Sequence, residues 1–306
     1  MLEAATSNFK TLIIYKKKIP KLALGTAQFG FDYGISNIFG RVKNMEISSI
    51  LKLAKNNNIN LLDTAKAYGN SEDVIGNFKK DNFIIITKLA AVPKNCKDVE
   101  SYVQASVSDS LKKLKVKNLY GVLLHEPSDL FGDKGPELIN SLNQLKFSKK
   151  VKKIGVSIYG PDQLEKIIKL LKIDIVQAPL NLVDRRLERS GWLAKLCNLG
   201  IEVHVRSVFL QGLLLMPQKK LPKNFEKWKY KFDEWYLKLK NKKKKALNVC
   251  LSYPLSLPNI KYIIVGVANT TQFEEIFFNL NNIDVEQKDW LFMESEDEKL
   301  INPNYW

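Results

Sequence analysis

The chain has 306 residues, 45% of them hydrophobic and 26% charged. That composition excludes a disordered or collagen-like polymer and fits one large α/β domain or two smaller ones. The formal charge of +16 admits nucleic acid, a membrane surface or an anionic small molecule as partners.

In chain order, residues 9–20 read as a short strand pair ahead of the first long apolar strand. Eight strand candidates follow: Lys21–Ala27, Asn60–Thr64, Phe83–Lys88, Val122–His125, Ile154–Ile158, Ile173–Ala178, Glu202–Ser207 and Tyr262–Val267. Several are nearly continuous apolar runs, the mark of strands covered on both faces. Between them lie helix candidates. Met45–Asn57 has a helical stripe of Ile47, Ile50, Leu51 and Ala54. Ser71–Phe78 opens with Ser, Glu and Asp, which suits a capped N-terminus. Val99–Leu114, Pro136–Phe147, Pro161–Leu171, Leu187–Leu199 and Thr271–Phe278 complete the set. Such alternation predicts a (β/α)8 TIM barrel, with residues 1–306 as one barrel domain. A doubly wound open sheet is the alternative, but GTAQFGFDYG after the first strand lacks the GxGxxG spacing.

Besides residues 9–20, two segments exceed a bare barrel. Residues 217–258, a long loop and helix after the seventh strand, are rich in Lys, Trp and Tyr. They form either a solvated basic face with its aromatic residues turned inward or a cover over the barrel mouth. The C-terminal tail ends in Tyr305 and Trp306, which either border the mouth or pack beneath the barrel.

Catalytic groups of such barrels sit at the C-terminal ends of the strands. Those ends offer Asp63, Lys88 and His125 on strands two, three and four, with Tyr68 in the loop after strand two. Each alone has a structural explanation: a helix cap, a snorkelling amine, a core histidine and a packing ring. Convergence on one mouth favours chemistry. An ammonium stabilises a phenolate, a carboxylate orients the ammonium, and an imidazole can hold a carbonyl oxygen. That set serves to donate a proton to an oxygen that gains charge as its carbon accepts hydride.

The motifs LALGTAQFG, NLLDTAKAYGNSEDVIG, IIITKL, LLHEP, VKKIGVSIYG, IVQAPLNLVDRR, SVFLQGLLL and YIIVGVANTTQFEEI occur in this order. Over about residues 10–280 the chain resembles the aldo-keto reductase superfamily. The resemblance implies an NAD(P)-dependent oxidoreductase with Tyr68 as proton donor, assisted by Lys88, Asp63 and His125. It implies NADPH or NADH laid across the barrel mouth. Gly25, Thr26 and Asp63 lie near its nicotinamide half, Ser157 and Gln177 at the carboxamide, and Ser207, Phe209, Gln211, Gly212 and Leu213 around the pyrophosphate. Gly266, Gln272 and Glu275 lie at the adenosine end. The chain departs from the family at Ile158, where Asn is usual, and at Arg206, where an aromatic residue often stacks on the nicotinamide. Arg206 therefore faces either the cofactor or an anionic group of the substrate. No cation stands in the Val267–Thr271 segment, so preference between NADPH and NADH stays open.

The implied partner is a small carbonyl compound, anionic or sugar-like, and SVFLQGLLL resembles reductases of surface-sugar synthesis. A non-catalytic nucleotide-binding or regulatory protein on the same scaffold is the alternative. Nucleic-acid binding through residues 217–245 is disfavoured. Only Arg41, Arg185, Arg186, Arg189 and Arg206 among the 48 basic residues are Arg, the residue suited to reading bases and phosphates. Cys96, Cys197 and Cys250 are dispersed, and His125 and His204 are the two His, so neither a disulfide framework nor a metal cluster is expected. No apolar run reaches the roughly 18–20 residues of a membrane span. The N-terminus places its apolar patch before its basic run, unlike a signal peptide. These features predict a cytoplasmic protein.

Overall fold

The computed structural model describes residues 21–78, 83–280 and 285–306; the expected strand pair at residues 9–20 lies outside them. Eight parallel strands close into a barrel in sequence order: β1 (Leu22–Gly25), β2 (Leu61–Asp63), β3 (Ile84–Leu89), β4 (Leu119–Leu124), β5 (Val151–Ser157), β6 (Ile175–Pro179), β7 (Glu202–Arg206) and β8 (Tyr262–Gly266). β1 pairs with both β2 and β8, which closes the ring. The architecture is the expected (β/α)8 fold, not an open sheet.

Strand side chains alternate between two cores. Outward residues such as Leu24, Leu62, Ile85, Val122 and Val205 are buried beneath the surrounding helices. Inward residues Ala23, Leu61, Ile86, Leu123, Ile175, Tyr262 and Ile264 fill the barrel interior. Burial on both faces is why the strands read as apolar runs. β4 and β5 start three residues earlier than expected, because Gly121 interrupts one apolar run and Lys152 and Lys153 precede the other.

The helix Val99–Leu114 has the predicted bounds. Asp98 accepts a hydrogen bond from the Ser101 N–H at its start, and Lys115 adopts a left-handed conformation at its end, which satisfies terminal groups that would otherwise stay unpaired. Ser71 does not cap its helix. It is the first helical residue, and its hydroxyl donates instead to the Thr26 carbonyl oxygen. The expected helix Leu187–Leu199 is two helices, Arg186–Arg189 and Trp192–Asn198, separated at Gly191, where φ is +76°.

The long segment after β7 carries the helices Lys229–Asn241 and Ala246–Ser256. Phe225, Trp228, Phe232 and Trp235 are buried, while Lys227, Lys229 and Lys240 are exposed. Its Phe and Trp residues thus turn inward while Tyr230 is exposed, and Pro217, Lys220, Ala246 and Leu247 of the same segment line the cleft at the barrel mouth, so the segment combines features of both readings. Trp306 packs edge-on against Phe225 at 4.9 Å, and Tyr305 is exposed. Among the described residues, no helix is long and apolar enough to cross a membrane.

Candidate active site

Asp63 and Lys88 reach the C-terminal mouth of the barrel on β2 and β3. The Lys88 side chain is fully buried, with Nζ 2.8 Å from Asp63 Oδ2 and 3.0 Å from the Thr64 carbonyl oxygen. Burial alone would lower the Lys88 pKa, but the Asp63 carboxylate and the neighbouring Tyr68 outweigh it and raise the value. Lys88 is therefore charged despite its burial. The other Asp63 oxygen, Oδ1, accepts from Gln177 Nε2 at 2.7 Å. The Asp63 backbone is tied to Thr26, whose N–H and hydroxyl both donate to its carbonyl oxygen.

Tyr68 lies in the turn after β2, its ring centroid 4.8 Å from Lys88 Nζ. His125 follows directly after β4 and packs edge-on against Tyr68 at 6.0 Å. The four side chains thus converge on one mouth. Backbone contact sets the position of Tyr68. A Cβ on Gly30 would stand 1.7 Å from the Tyr68 carbonyl oxygen, and one on Gly69 would stand 2.6 Å from the Gly30 carbonyl oxygen. Gly30→Ala is therefore expected to lower both melting temperature and kcat, because the clash is with backbone that cannot rotate away. Thermal melts and steady-state assays measure the two effects.

Burial pushes the His125 pKa down to about 4, helped by the charges of Lys88 and Arg206, so the imidazole is neutral near pH 7. Because the folded value lies below the usual 6.5, the unfolded chain binds this proton first as pH falls. Stability is expected to be full above about 6.5 and to be lost progressively down to about 4. The His204 pKa is also lowered, first by burial, and adds to the loss. Urea titrations across this range test the assignment: His125→Gln should flatten part of the dependence.

A cleft of about 560 Å³ runs from this mouth between the loops after β1, β7 and β8. Gly25, Thr26, Asp63, Tyr68, Arg206, Ser207, Phe209, Gln211, Gly212, Gly266, Gln272 and Glu275 all line it. Three candidate cofactor residues do not, nor do Lys88 and His125. Ser157 and Gln177 are buried in the barrel wall, and Leu213 belongs to the hydrophobic core. Gln272 also acts within its own loop, its Oε1 accepting from the Ala268 N–H at 2.8 Å. The loops after β1 and β7 meet over the cleft, where Ser36 Oγ donates to the Gln211 carbonyl oxygen at 3.4 Å.

Arg206 sits at the end of β7, below which Glu202 and His204 share its face. His204 Nε2 lies 3.2 Å from Glu202 Oε2, and Lys153 Nζ lies 2.8 Å from Glu202 Oε1. The deeper charges are thus paired, as burial requires. Several site residues escaped the sequence. Phe31 and Tyr33 follow β1; Phe31 packs 6.2 Å from Tyr68, and Tyr33 lines the cleft. Lys220 supplies a cation to the cleft from the segment after β7. The aromatic FGFDY run was the available signal for the first pair, and the overhanging-loop reading for Lys220. Among the described residues, no group of three His, Cys, Asp or Glu could hold a metal ion.

Residues 21–295 match the Aldo/keto reductase family, to which the chain belongs. It is 27% identical over 287 residues to the uncharacterized oxidoreductase YqkF of Bacillus subtilis (strain 168), covering 83% of this chain and 89% of that protein. It is 30% identical over 178 residues to the NADH-specific methylglyoxal reductase of Escherichia coli (strain K12), covering 51% of this chain and 54% of that protein. The match to the aldo-keto reductase YhdN of B. subtilis, 27% identical over 181 residues, likewise spans about half of that protein, at 53%. In fold, the chain is similar to the aldo-keto reductase AKR11C1 of Bacillus halodurans in its holo form, with a TM-score of 0.70, 19% identity and 92% of each chain covered.

Proposed function

We propose that the protein reduces the carbonyl group of a small aldehyde, ketone or sugar-derived compound, with a nicotinamide dinucleotide as hydride source and Tyr68 as proton donor. The observation that carries this reading is the buried Lys88–Asp63 pair set against Tyr68 and His125 at one end of a long cleft.

The residues present fit such a cofactor. Gly25 and Gly266 are paired across β1 and β8 and line the cleft without side chains of their own. Gln177 Oε1 is buried without a hydrogen-bond partner, an acceptor suited to a carboxamide N–H beside Ser157. The loop of Ser207, Phe209, Gln211 and Gly212 would hold the phosphates, and Gln272 and Glu275 the adenosine end. Leu213 would support that loop from the core. When bound, a reduced nicotinamide supplies hydride to the carbonyl carbon.

The Tyr68 hydroxyl donates a hydrogen bond to the carbonyl oxygen and gives up its proton as that oxygen gains charge. Lys88 stabilises the resulting phenolate, and Asp63 holds Lys88 charged and in place. Neutral His125 donates from a ring N–H to the same oxygen and orients it. Solvent restores the phenol proton. The same residues serve the reverse reaction, alcohol oxidation.

Fluorescence titration with NADPH and NADH, followed by assays with methylglyoxal and glyceraldehyde, tests the proposal. Binding and turnover with at least one pair is expected, and the Kd ratio gives cofactor preference, with Lys220 the cleft cation able to favour NADPH. Failure to bind either nucleotide would instead favour a non-catalytic protein on this scaffold.

A further inference from the structure

Arg206 places a guanidinium in the wall of the cleft. Arg186 and Arg189 pair with carboxylates, and the buried Arg185 is enclosed in the core against the Tyr253 ring, whereas Arg206 is the arginine that lines the cleft. Arg206 has no carboxylate within ion-pair distance among the described residues, although it is half-buried in the cleft wall. Withdrawing a cation from water without a counter-charge is costly, so a site that keeps one there has a reason to do so.

Its geometry is fixed. Nη2 donates to the Ile158 carbonyl oxygen at 3.1 Å, and Nη1 donates to Ser207 Oγ at 3.2 Å. The guanidinium lies 4.9 Å from the Tyr159 ring centroid. Tyr159 is itself anchored, its carbonyl oxygen accepting from Arg186 Nη2 at 2.7 Å and its hydroxyl donating to Asn304 Oδ1 at 3.5 Å. A guanidinium has five N–H donors, and only two are committed. Three remain, enough to take a carboxylate or phosphate through two bonds.

Arg206 lines the same cleft as Tyr33 and Tyr68, and Phe31 packs against both tyrosines, 5.5 Å from Tyr33 and 6.2 Å from Tyr68. Tyr33, in the same cleft wall, has its pKa raised by burial and opposed by the charge of Arg206, with Tyr68 and Tyr159 also beside it. Gln272 and Glu275 lie on the helix after β8, at the other end of the expected cofactor path. We infer that Arg206 is a specificity-determining residue that receives the carboxylate or phosphate of an anionic carbonyl substrate whose reacting oxygen lies at Tyr68. This rests on the reductase reading above.

The test compares matched pairs: succinic semialdehyde with its methyl ester, and glycolaldehyde phosphate with glycolaldehyde. In at least one pair the wild-type protein should favour the anion at least about tenfold in kcat/KM. Arg206→Gln should cut that ratio by about ten- to a hundredfold, as expected for loss of charged hydrogen bonds. Arg206→Lys should restore part of it, and circular dichroism establishes that the variants fold. The pair with the larger ratio tells carboxylate from phosphate. No preference in either pair, or an unchanged ratio in Arg206→Gln with weaker NADPH or NADH binding, overturns the inference and leaves the reductase reading standing. Failure of the wild-type protein to reduce any of the four aldehydes overturns the inference, and failure with methylglyoxal and glyceraldehyde as well defeats the reductase reading.

Discussion

Tyr68→Phe is expected to lose about 10²- to 10⁴-fold in kcat, the range supplied by a positioned proton donor, with little change in cofactor affinity. The ring is kept, and with it the packing against Phe31 at 6.2 Å and against His125 at 6.0 Å. Only the hydroxyl is removed. The side chain is partly exposed, so the melting temperature should move little. His125 cannot take over. With a pKa pushed down to about 4, it is neutral at pH 7 and holds no readily released proton. Lys88 cannot take over either, since it is fully buried and its pKa is raised against Asp63. Single-turnover rates with saturating cofactor separate this loss from a binding defect. A variant retaining more than a tenth of wild-type kcat would show that another group donates the proton.

The parts of this site that the sequence exposed are those fixed by strand periodicity. Asp63 and Lys88 end apolar runs buried on both faces, so their place at the mouth followed from where the runs stopped. His125 ends another such run, although Gly121 hid the true start of β4. What stayed hidden depends on how loops cross in space. Phe31, Tyr33 and Lys220 come from segments after β1 and β7 that have no repeat to count. Leu213 sits within a motif of cleft residues, yet its side chain turns into the core. The Leu187–Leu199 apolar pattern is genuine, but Ser190 and Gly191 break the backbone beneath it. Periodicity reports which face a residue occupies, and a left-handed glycine changes the path without changing the face.

Lys88→Met should be the most damaging single change for both folding and catalysis. It leaves Asp63, itself only 3% exposed, as a buried carboxylate whose remaining side-chain hydrogen bond is the one from Gln177. Removing one partner of a buried ion pair costs about 3–5 kcal/mol, because the other charge stays desolvated. That is a large share of the roughly 5–15 kcal/mol by which domains are stable. The phenolate formed at Tyr68 would also lose its counter-charge, so kcat should fall by at least about 10²-fold. The double variant Lys88→Met/Asp63→Asn separates the two effects. Asp63→Asn puts a neutral isostere in place of the carboxylate, and its amide oxygen can still accept from Gln177, so urea unfolding should recover most of the lost stability. A coupling energy above about 1 kcal/mol in the double-mutant cycle would assign the folding cost to the stranded charge. Activity should not return with stability, since neither group remains to steady the phenolate. A double variant as unstable as Lys88→Met would instead locate the cost in the missing lysine stem, and one that regained kcat would remove the ion pair from the proposed chemistry.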